Sequence, residues 1–135
     1  MNQTEWVTPC NPKIYDLESE FSVNDYVYWR QNANYEIGDI VYIYLSLGRN
    51  RIRYKTIVTD VNINADDIEE NYWNDPSQKS RNKKRVRLQL IREFNDIRLS
   101  YSFLKSNGLT STIQGAIRLK GKWADYIHEI ESEHK

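Results

Sequence analysis

The chain has 135 residues, a length that predicts one domain over residues 1–135. Its nineteen basic and nineteen acidic side chains give a net charge of zero, so the composition has no global signature of a nucleic-acid-binding protein. The single cysteine excludes an intramolecular disulfide, no apolar run is long enough to span a membrane, and the polar first five residues are not a signal peptide, so we expect a cytoplasmic protein without membrane contact. Ten Tyr and four Trp against three Phe favour half-buried walls and stacking surfaces.

Three elements are predicted in the first third of the chain. Residues 5–8 alternate as a short strand, which the dipeptide at 11–12, Asn-Pro, brings to an end. Apolar residues at helical spacing over 14–21 indicate a short helix. Residues 40–45 are apolar on both faces, which predicts a strand in the centre of a sheet.

A hairpin and a further strand are predicted next. A turn at 47–50 leads into a returning strand over 52–63. One face of that strand carries the alternate residues Ile52, Tyr54, Thr56 and Val58. Residues 86–91 alternate in the same way and predict a half-buried strand. Residues 66–84 turn from acidic to basic with few apolar side chains, so we expect them to be the most mobile internal segment.

Two helices complete the predicted elements. Ser100 is a suitable N-cap for a helix over 101–107, and Gly108 suits its end. Residues 123–130 have the amphipathic pattern of a closing helix. Long strands with short helices at their junctions predict an α+β fold built on a curled β-sheet or a small barrel.

Few residues are available for catalysis or metal binding. Zinc sites use about four Cys, His or acidic ligands at close spacing, whereas the two histidines, His128 and His134, both lie near the end of the chain. No acid–base carboxylate pair, nucleophile–base pair or phosphate-binding glycine loop is recognisable. We therefore expect no enzymatic activity in this chain alone, no metal site and no cofactor.

An aromatic pocket is a different kind of site. Binding of a flipped base needs two aromatic planes, polar groups for the base edge and a basic rim for phosphate. Trp6 and Trp29 are the candidate planes, and each is also compatible with a core position. Asn11 is placed either to bond a base edge or to form a turn. Gln114 and Gly115 lie in a late loop that brings an amide and backbone close to a ligand.

Basic residues supply the rim of such a pocket. The stretch from Lys79 to Arg92 has seven basic and no acidic side chains, and a second basic cluster lies on the hairpin. A charge run of this kind is often only a solvated surface. If both clusters fall around one rim, they form a phosphate-facing surface. The phosphate contacts that we predict come from Arg49, Arg51, Arg85, Arg87 and Arg118.

Four stretches in this order and spacing carry a family resemblance that extends over nearly the whole chain. They are residues 6–12, 29–32, 37–44 and 113–118. Together they resemble the EVE domain, a branch of the PUA-like folds, in the form that precedes HNH nucleases in bacterial proteins. The resemblance implies a PUA-like barrel, and the residues that it adds to the pocket are Thr8, Gln31, Asn32 and Tyr44. The tract after Trp29 is shorter than in many EVE proteins.

The resemblance also implies a function. EVE-like domains are readers of modified bases, so the chain is expected to bind nucleic acid, DNA more than RNA, and to flip a methylated or hydroxymethylated cytosine into its pocket, with a nuclease as effector. Two alternatives stay open, a protein-interaction domain and a small-ligand-binding domain on the same fold. An open slot near Trp6 and Trp29 with a basic rim favours the reader. A filled slot favours the interaction domain, and an open slot without a basic rim favours the small-ligand domain.

Overall fold

The computed structural model of the chain describes residues 3–78 and 82–133. Six strands are found among them: β1 (Glu5–Cys10), β2 (Tyr26–Arg30), β3 (Ile40–Leu45), β4 (Arg51–Asn64), β5 (Lys84–Glu93) and β6 (Ile117–Arg118). The α-helices of the described part are α1 (Leu17–Val23), α2 (Tyr101–Ser106) and α3 (Lys122–Ser132). Short 3-10 turns lie at Ala65–Asp67, Pro76–Gln78 and Ile97–Leu99.

All six strands belong to one mixed sheet in the order β2-β5-β4-β3-β1-β6. β1 runs parallel to β3, and the other neighbours pair antiparallel. β3 lies inside the sheet with all six residues buried, as its apolar sequence predicts. The predicted α+β fold with a curled sheet and short helices is confirmed. The sheet is not closed into a barrel, because β2 and β6 form its two ends and no ladder joins them in the described residues.

A bulge separates residues that the sequence pattern assigns to one face of β4. Ile52 pairs with Tyr44 while Tyr54 pairs with Ile43, so one step along β3 spans two steps along β4. Ile52 therefore joins the core cluster of Tyr44, whereas Tyr54 and Val58 join the opposite cluster. The prediction that these β4 residues share one face was wrong, because the extra residue reverses the alternation of side chains.

Each face of the sheet carries its own hydrophobic core. On the face that we call the helical face, α2 and α3 contribute Leu104, Trp123 and Ile127. The other face, which we call the inner face, is covered by α1 through Leu17 and by the side chains of β1, β2 and β5. β3 supplies alternate residues to both cores, which explains why it is buried on both sides.

The C-terminal end of α3 is fastened to the sheet by polar contacts. The Tyr42 hydroxyl donates to Glu131 Oε2 at 2.7 Å, the Lys55 ammonium group donates to Glu131 Oε1, and Arg92 Nη1 donates to the Glu131 carbonyl oxygen at 3.0 Å. Burial by itself would raise the pKa of the Glu131 carboxyl, but the hydrogen bonds from Lys55 and Tyr42 and the charges of Lys55 and Arg92 lower this pKa below its usual value. Folding therefore favours the charged carboxylate.

Glu131→Gln should destabilise the protein at neutral pH and remove part of its sensitivity to acid. A carboxyl with a lowered folded pKa contributes stability above its unfolded pKa of about 4.3, and this contribution is lost as the pH falls through the folded value. We expect a loss of about 1–3 kcal/mol at pH 7, since the neutral amide removes the negative charge and replaces one of the two acceptor oxygens with an NH2 donor, and a smaller loss at pH 3. Urea unfolding at both pH values measures it, with exposed Glu129→Gln as the control. Equal losses at the two pH values would contradict the assignment.

Candidate functional site

Side chains, rather than backbone hydrogen bonds, bridge the open side of the curled sheet. This open side, which we call the seam, lies between β1 and the chain from the end of β2 to Tyr35. Tyr35 packs edge-on against Trp6 with ring centroids 5.3 Å apart, and Asn32 Nδ2 lies 3.5 Å from Thr8 Oγ1. The two segments thus run antiparallel past each other, and their contacts decide which parts of the seam are filled and which are open.

The Trp6 part of the seam is filled. The Trp6 indole N–H donates to Asp39 Oδ2 at 3.1 Å, the Arg118 guanidinium lies over the Trp6 ring at 5.3 Å, and Tyr35 covers its edge. Trp6 is 6% exposed and Thr8 is fully buried. A base has no room between them in this structure, so here the slot that the resemblance implies is occupied by the protein's own side chains.

Asn32 is held in the same cluster. The Tyr35 hydroxyl donates to Asn32 Oδ1 at 2.7 Å, and burial raises the pKa of Tyr35 to about 12, so this hydroxyl remains protonated at neutral pH. Gln31 is engaged elsewhere, since it donates to the Asn62 side chain at 2.9 Å and accepts from the Asn62 backbone N–H at 2.8 Å. These two bonds hold Asn62 at a φ of 58°, so Gln31 braces a turn in β4 and does not line a pocket.

A pocket opens in the seam where β1 and β2 end, and we call it the indole pocket. Its cavity is small, about 40 Å³, so a bulky ligand enters it only when the lining side chains move apart. The lining residues are Pro9, Cys10, Asn11, Ile14, Tyr15, Tyr28, Trp29, Arg30 and Trp73. The structure therefore brings two of the predicted pocket residues, Asn11 and Trp29, to one site and leaves Trp6 and Thr8 outside it.

Three aromatic rings meet at the indole pocket. The Tyr15 ring lies 5.6 Å from Trp29 with an interplanar angle of 80° and 5.1 Å from Trp73 with an angle of 87°. Both indoles therefore stand nearly perpendicular to one shared ring, an arrangement that aromatic pairs favour. Arg30 lies over Trp73 at 5.7 Å and supplies a positive charge at the pocket. Burial raises the pKa of the Cys10 thiol to about 12, so the pocket holds a neutral thiol and no nucleophilic thiolate.

Trp73 is a pocket residue that sequence reasoning missed. It comes from the predicted mobile segment, whose described residues are fixed against the loop before α1 by hydrogen bonds from Asn74 N to Ile14 O and from Asp16 N to Tyr72 O, both of 2.7 Å. The signal in the sequence was the aromatic pair Tyr72-Trp73 within an otherwise polar segment. The mobility of residues 66–84 remains a prediction, and its basic residues Lys79 and Arg81 lie outside the described residues.

Arg85 lies inside the protein and not on a phosphate-facing rim. Its Nε donates to Glu70 Oε2 at 2.8 Å and its Nη2 to Glu70 Oε1 at 3.2 Å, and the two side chains are 0% and 1% exposed. The surface position that we expected for Arg85 is wrong because the segment carrying Glu70 and Trp73 folds over it. Arg87, two residues along β5, stays half-exposed, stacks on the Tyr26 ring at 4.2 Å and so keeps a surface position.

Arg85→Ala and Arg87→Ala should therefore have different effects. Arg85→Ala leaves the buried Glu70 carboxylate without its partner, so we expect a loss of about 3–5 kcal/mol in the free energy of unfolding. Arg87→Ala removes the same charge from a solvated site, and we expect a loss below about 1 kcal/mol. Chemical denaturation of the two matched variants measures this difference. Similar losses in both would show that the ion pair does not anchor the segment.

The remaining predicted residues lie on the helical face. Tyr44, Arg49, Arg51 and Gln114 line one open cleft there, although they come from two separated segments, the β3–β4 hairpin and the loop before β6. Gly115 is exposed beside Gln114, and a Cβ built on it would meet nothing within 4 Å, so no close approach requires glycine at this position. The predicted base pocket is thus divided in this structure between the filled part of the seam, the indole pocket and this cleft.

Neither a metal cluster nor a membrane-spanning helix is found in the described part of the chain. No group of three or more His, Cys, Asp or Glu side chains in the described residues is arranged to hold a metal ion, and His134 lies outside those residues. Over residues 3–78 and 82–133, none of the helices has the length and apolar character that a membrane crossing requires.

Solved structures with the same fold include an ASCH protein and a protein of Agrobacterium tumefaciens. The ASCH protein of Zymomonas mobilis superposes with a TM-score of 0.65 at 9% identity over 96% of each chain, and a point mutant of that protein gives 0.64 at 11% over 93% of this chain and 95% of that one. Protein Atu2648 of Agrobacterium tumefaciens gives 0.62 at 14% identity over 94% of this chain and 92% of its own. No protein-family model and no curated protein matches the sequence. At these identities the likeness establishes the fold alone. This is a PUA-like fold, the class to which EVE domains also belong, and the likeness does not assign the chain to the EVE branch.

Proposed function

We propose that the chain is a non-catalytic nucleic-acid-binding module and that its indole pocket accepts one base flipped out of a strand. The observation that carries this proposal is the meeting of Trp29, Trp73 and Tyr15 around one pocket beside Arg30. Flat aromatic walls stack on a base of any kind, and a guanidinium at the rim binds the neighbouring phosphate. The PUA-like fold agrees with this assignment without establishing it.

Asn11 supplies a polar group for the edge of the base. Its side-chain oxygen accepts a hydrogen bond from the Lys13 backbone N–H at 2.9 Å, which fixes the orientation of the amide and points its NH2 group away from Lys13. The Asn11 Nδ2 group donates to no described residue and is available to a base acceptor, such as O2 or N3 of cytosine. Extrusion costs a few kcal/mol for unstacking, and stacking on an aromatic ring contributes about 1–3 kcal/mol per base.

The proposed ligand is a methylated or hydroxymethylated cytosine in DNA. Pro9 and Ile14 give the indole pocket apolar surface beside its rings, and burial of one added methyl group contributes about 0.8 kcal/mol, roughly a fourfold preference. A module of this kind selects sites and does not cut, so the reader works with an effector such as a nuclease.

A protein-interaction domain is the second candidate, and the filled Trp6 part of the seam favours it. Tyr35 and Asn32 occupy the place that the family resemblance assigns to a base. This alternative predicts no preference for modified bases and no contribution of Trp73 to binding. The two candidates are therefore separated by a titration against DNA.

Trp73→Ala should remove the preference for modified DNA. We expect the wild-type protein to bind duplexes with one 5-methylcytosine or 5-hydroxymethylcytosine more tightly than the unmodified duplex, and the variant to lose about 1–3 kcal/mol of binding and the preference with it. Trp73→Phe retains a stacking plane and should keep most of both. Fluorescence anisotropy measures the affinities, with single-stranded DNA and RNA of the same sequence as further ligands.

The control is Trp6→Phe, which changes a tryptophan of the same inner face outside the indole pocket. It should leave the preference unchanged, provided that circular dichroism shows each variant to be folded. A folded Trp73→Ala protein with full preference for modified DNA would show that the base binds elsewhere.

A further inference from the structure

The cleft on the helical face is separate from the indole pocket and differs from it in chemistry. Its walls come from the β3–β4 hairpin, from the start of α2 and from the loop before β6. The lining consists of Tyr44, Ser46, Arg49, Asn50, Arg51, Ile97, Ser100, Tyr101, Ser102, Thr112, Ile113 and Gln114. None of these residues is acidic, whereas two are arginines and six carry hydroxyl groups. The cleft thus offers hydrogen-bond donors and positive charge.

Tyr44 is a buried polar side chain whose hydroxyl has no partner among the described residues. The residue is 5% exposed, so its ring belongs to the core, and it lines the floor of the cleft. Burial raises the pKa of Tyr44, and the nearby Tyr101 adds to that effect, so the hydroxyl remains a donor at neutral pH. The ring is buried while Tyr44 lines the cleft, and its hydroxyl is available to a ligand there.

Arg51 also lines the cleft and has unused hydrogen-bond donors. Its Nε donates to the Arg49 carbonyl oxygen at 3.4 Å, and its two Nη groups bond to no acceptor within the described residues. Arg49 pairs with Glu18 at 2.9 Å, but the two side chains are 50% and 38% exposed, and solvated pairs of this kind are weak. A phosphate group can therefore replace Glu18 as the partner of Arg49 at little cost. Arg51 has no carboxylate partner among the described residues, so phosphate binding breaks no ion pair there.

The backbone holds the two arginines in place. The hairpin turn contains Leu47 at a φ of 48° and Asn50 at 52°, both in the left-handed region that most residues avoid. The Asn50 carbonyl accepts a hydrogen bond from the Tyr101 N–H at 2.8 Å, and Arg51 forms a β-bridge with Ser100. Positive φ angles are usual in hairpin turns, and these contacts with the start of α2 hold the turn in place. The cleft is therefore built before any ligand arrives.

We propose that this cleft is a second binding site, which takes the phosphate-bearing part of a nucleotide. Arg51 and Arg49 bind the phosphate oxygens, because guanidinium groups match phosphate in charge and geometry. Tyr44 and the Ser and Thr hydroxyls complete the hydrogen bonds, and Tyr101 and Gln114 contact the sugar or base. The same chemistry is presented by a free mononucleotide and by a nucleotide within a strand. The site does not depend on the indole pocket.

The test compares nucleoside 5′-monophosphates, the corresponding nucleosides and an unmodified single-stranded oligonucleotide as ligands of the intact protein. Calorimetry should detect the phosphorylated ligands, or the strand alone if the site requires neighbouring nucleotides, and should not detect the nucleosides. Arg51→Ala should weaken this binding roughly tenfold or more, and Tyr44→Phe about threefold to tenfold. Lys105→Ala is the matched control, since it removes an exposed charge from α2 outside the cleft lining.

The outcomes separate this proposal from the function proposed for the indole pocket. Trp73→Ala should leave mononucleotide or unmodified-strand binding at the cleft within about twofold, whereas Arg51→Ala should keep the preference for a modified base. An equal loss in Arg51→Ala and Lys105→Ala would overturn the cleft, because it would indicate unspecific attraction to charge. The proposal also fails if neither the mononucleotides nor the strand binds in a manner that Arg51→Ala weakens.

Discussion

The outer edge of β1 controls how this sheet can close. β1 pairs with β3 on one side, while β6 pairs with Trp6 and Val7 on the other, so β2 has no free edge to join over that part of β1. A barrel of these strands is therefore left with a seam that only side chains can fill. Trp6, Tyr35, Thr8 and Asn32 fill its first part with rings and amide contacts. Beyond them, where β6 no longer covers β1, the filling stops and the indole pocket begins.

The indole pocket depends on a segment far away in the sequence. Trp73 reaches the seam because the chain after β4 folds back over β5, and the Arg85–Glu70 ion pair lies beneath that fold. A fully buried ion pair adds little net stability, since desolvation of both charges offsets their attraction. Its role here is positional: in this structure the pair holds the segment over β5, in a placement that packs the Trp73 ring against Tyr15.

The sequence predicts the elements of this fold better than it predicts their contacts. The apolar pattern of β3 predicts its central place, and the spacing of Trp123, Ile127 and Ile130 predicts α3, because burial repeats with the local geometry. The observed strands β1, β4 and β5 are longer than predicted by only one or two residues at an end. The bulge in β4 could not be read from alternation, since Ile52 and Tyr54 both stand between basic residues in an unbroken alternating pattern.

For the sites, too, the sequence identifies candidate residues but does not predict the tertiary contacts that bury or expose them. Arg85 and Arg87 are two residues apart on one strand, and only the fold of a distant segment makes one of them buried and the other half-exposed. Trp6 and Trp29 are both candidate pocket walls by sequence, Trp6 chiefly through the family resemblance, but Tyr35 fills the space beside Trp6. Tyr44, Arg49, Arg51 and Gln114 were each predicted to bind, yet their meeting in a separate cleft follows from tertiary structure alone.

The central claim is that a base leaves the stack and enters the indole pocket, where it stacks beside the contacting rings of Trp29, Trp73 and Tyr15. The most direct measurement uses a duplex in which the fluorescent base 2-aminopurine stands next to a single 5-methylcytosine. Its emission is quenched by stacking and rises when the neighbouring base leaves the helix. The account predicts that emission rises when the wild-type protein binds and does not rise with the Trp73→Ala protein at saturating concentration. Saturated wild-type binding with unchanged emission would contradict base flipping and with it the role assigned to the indole pocket.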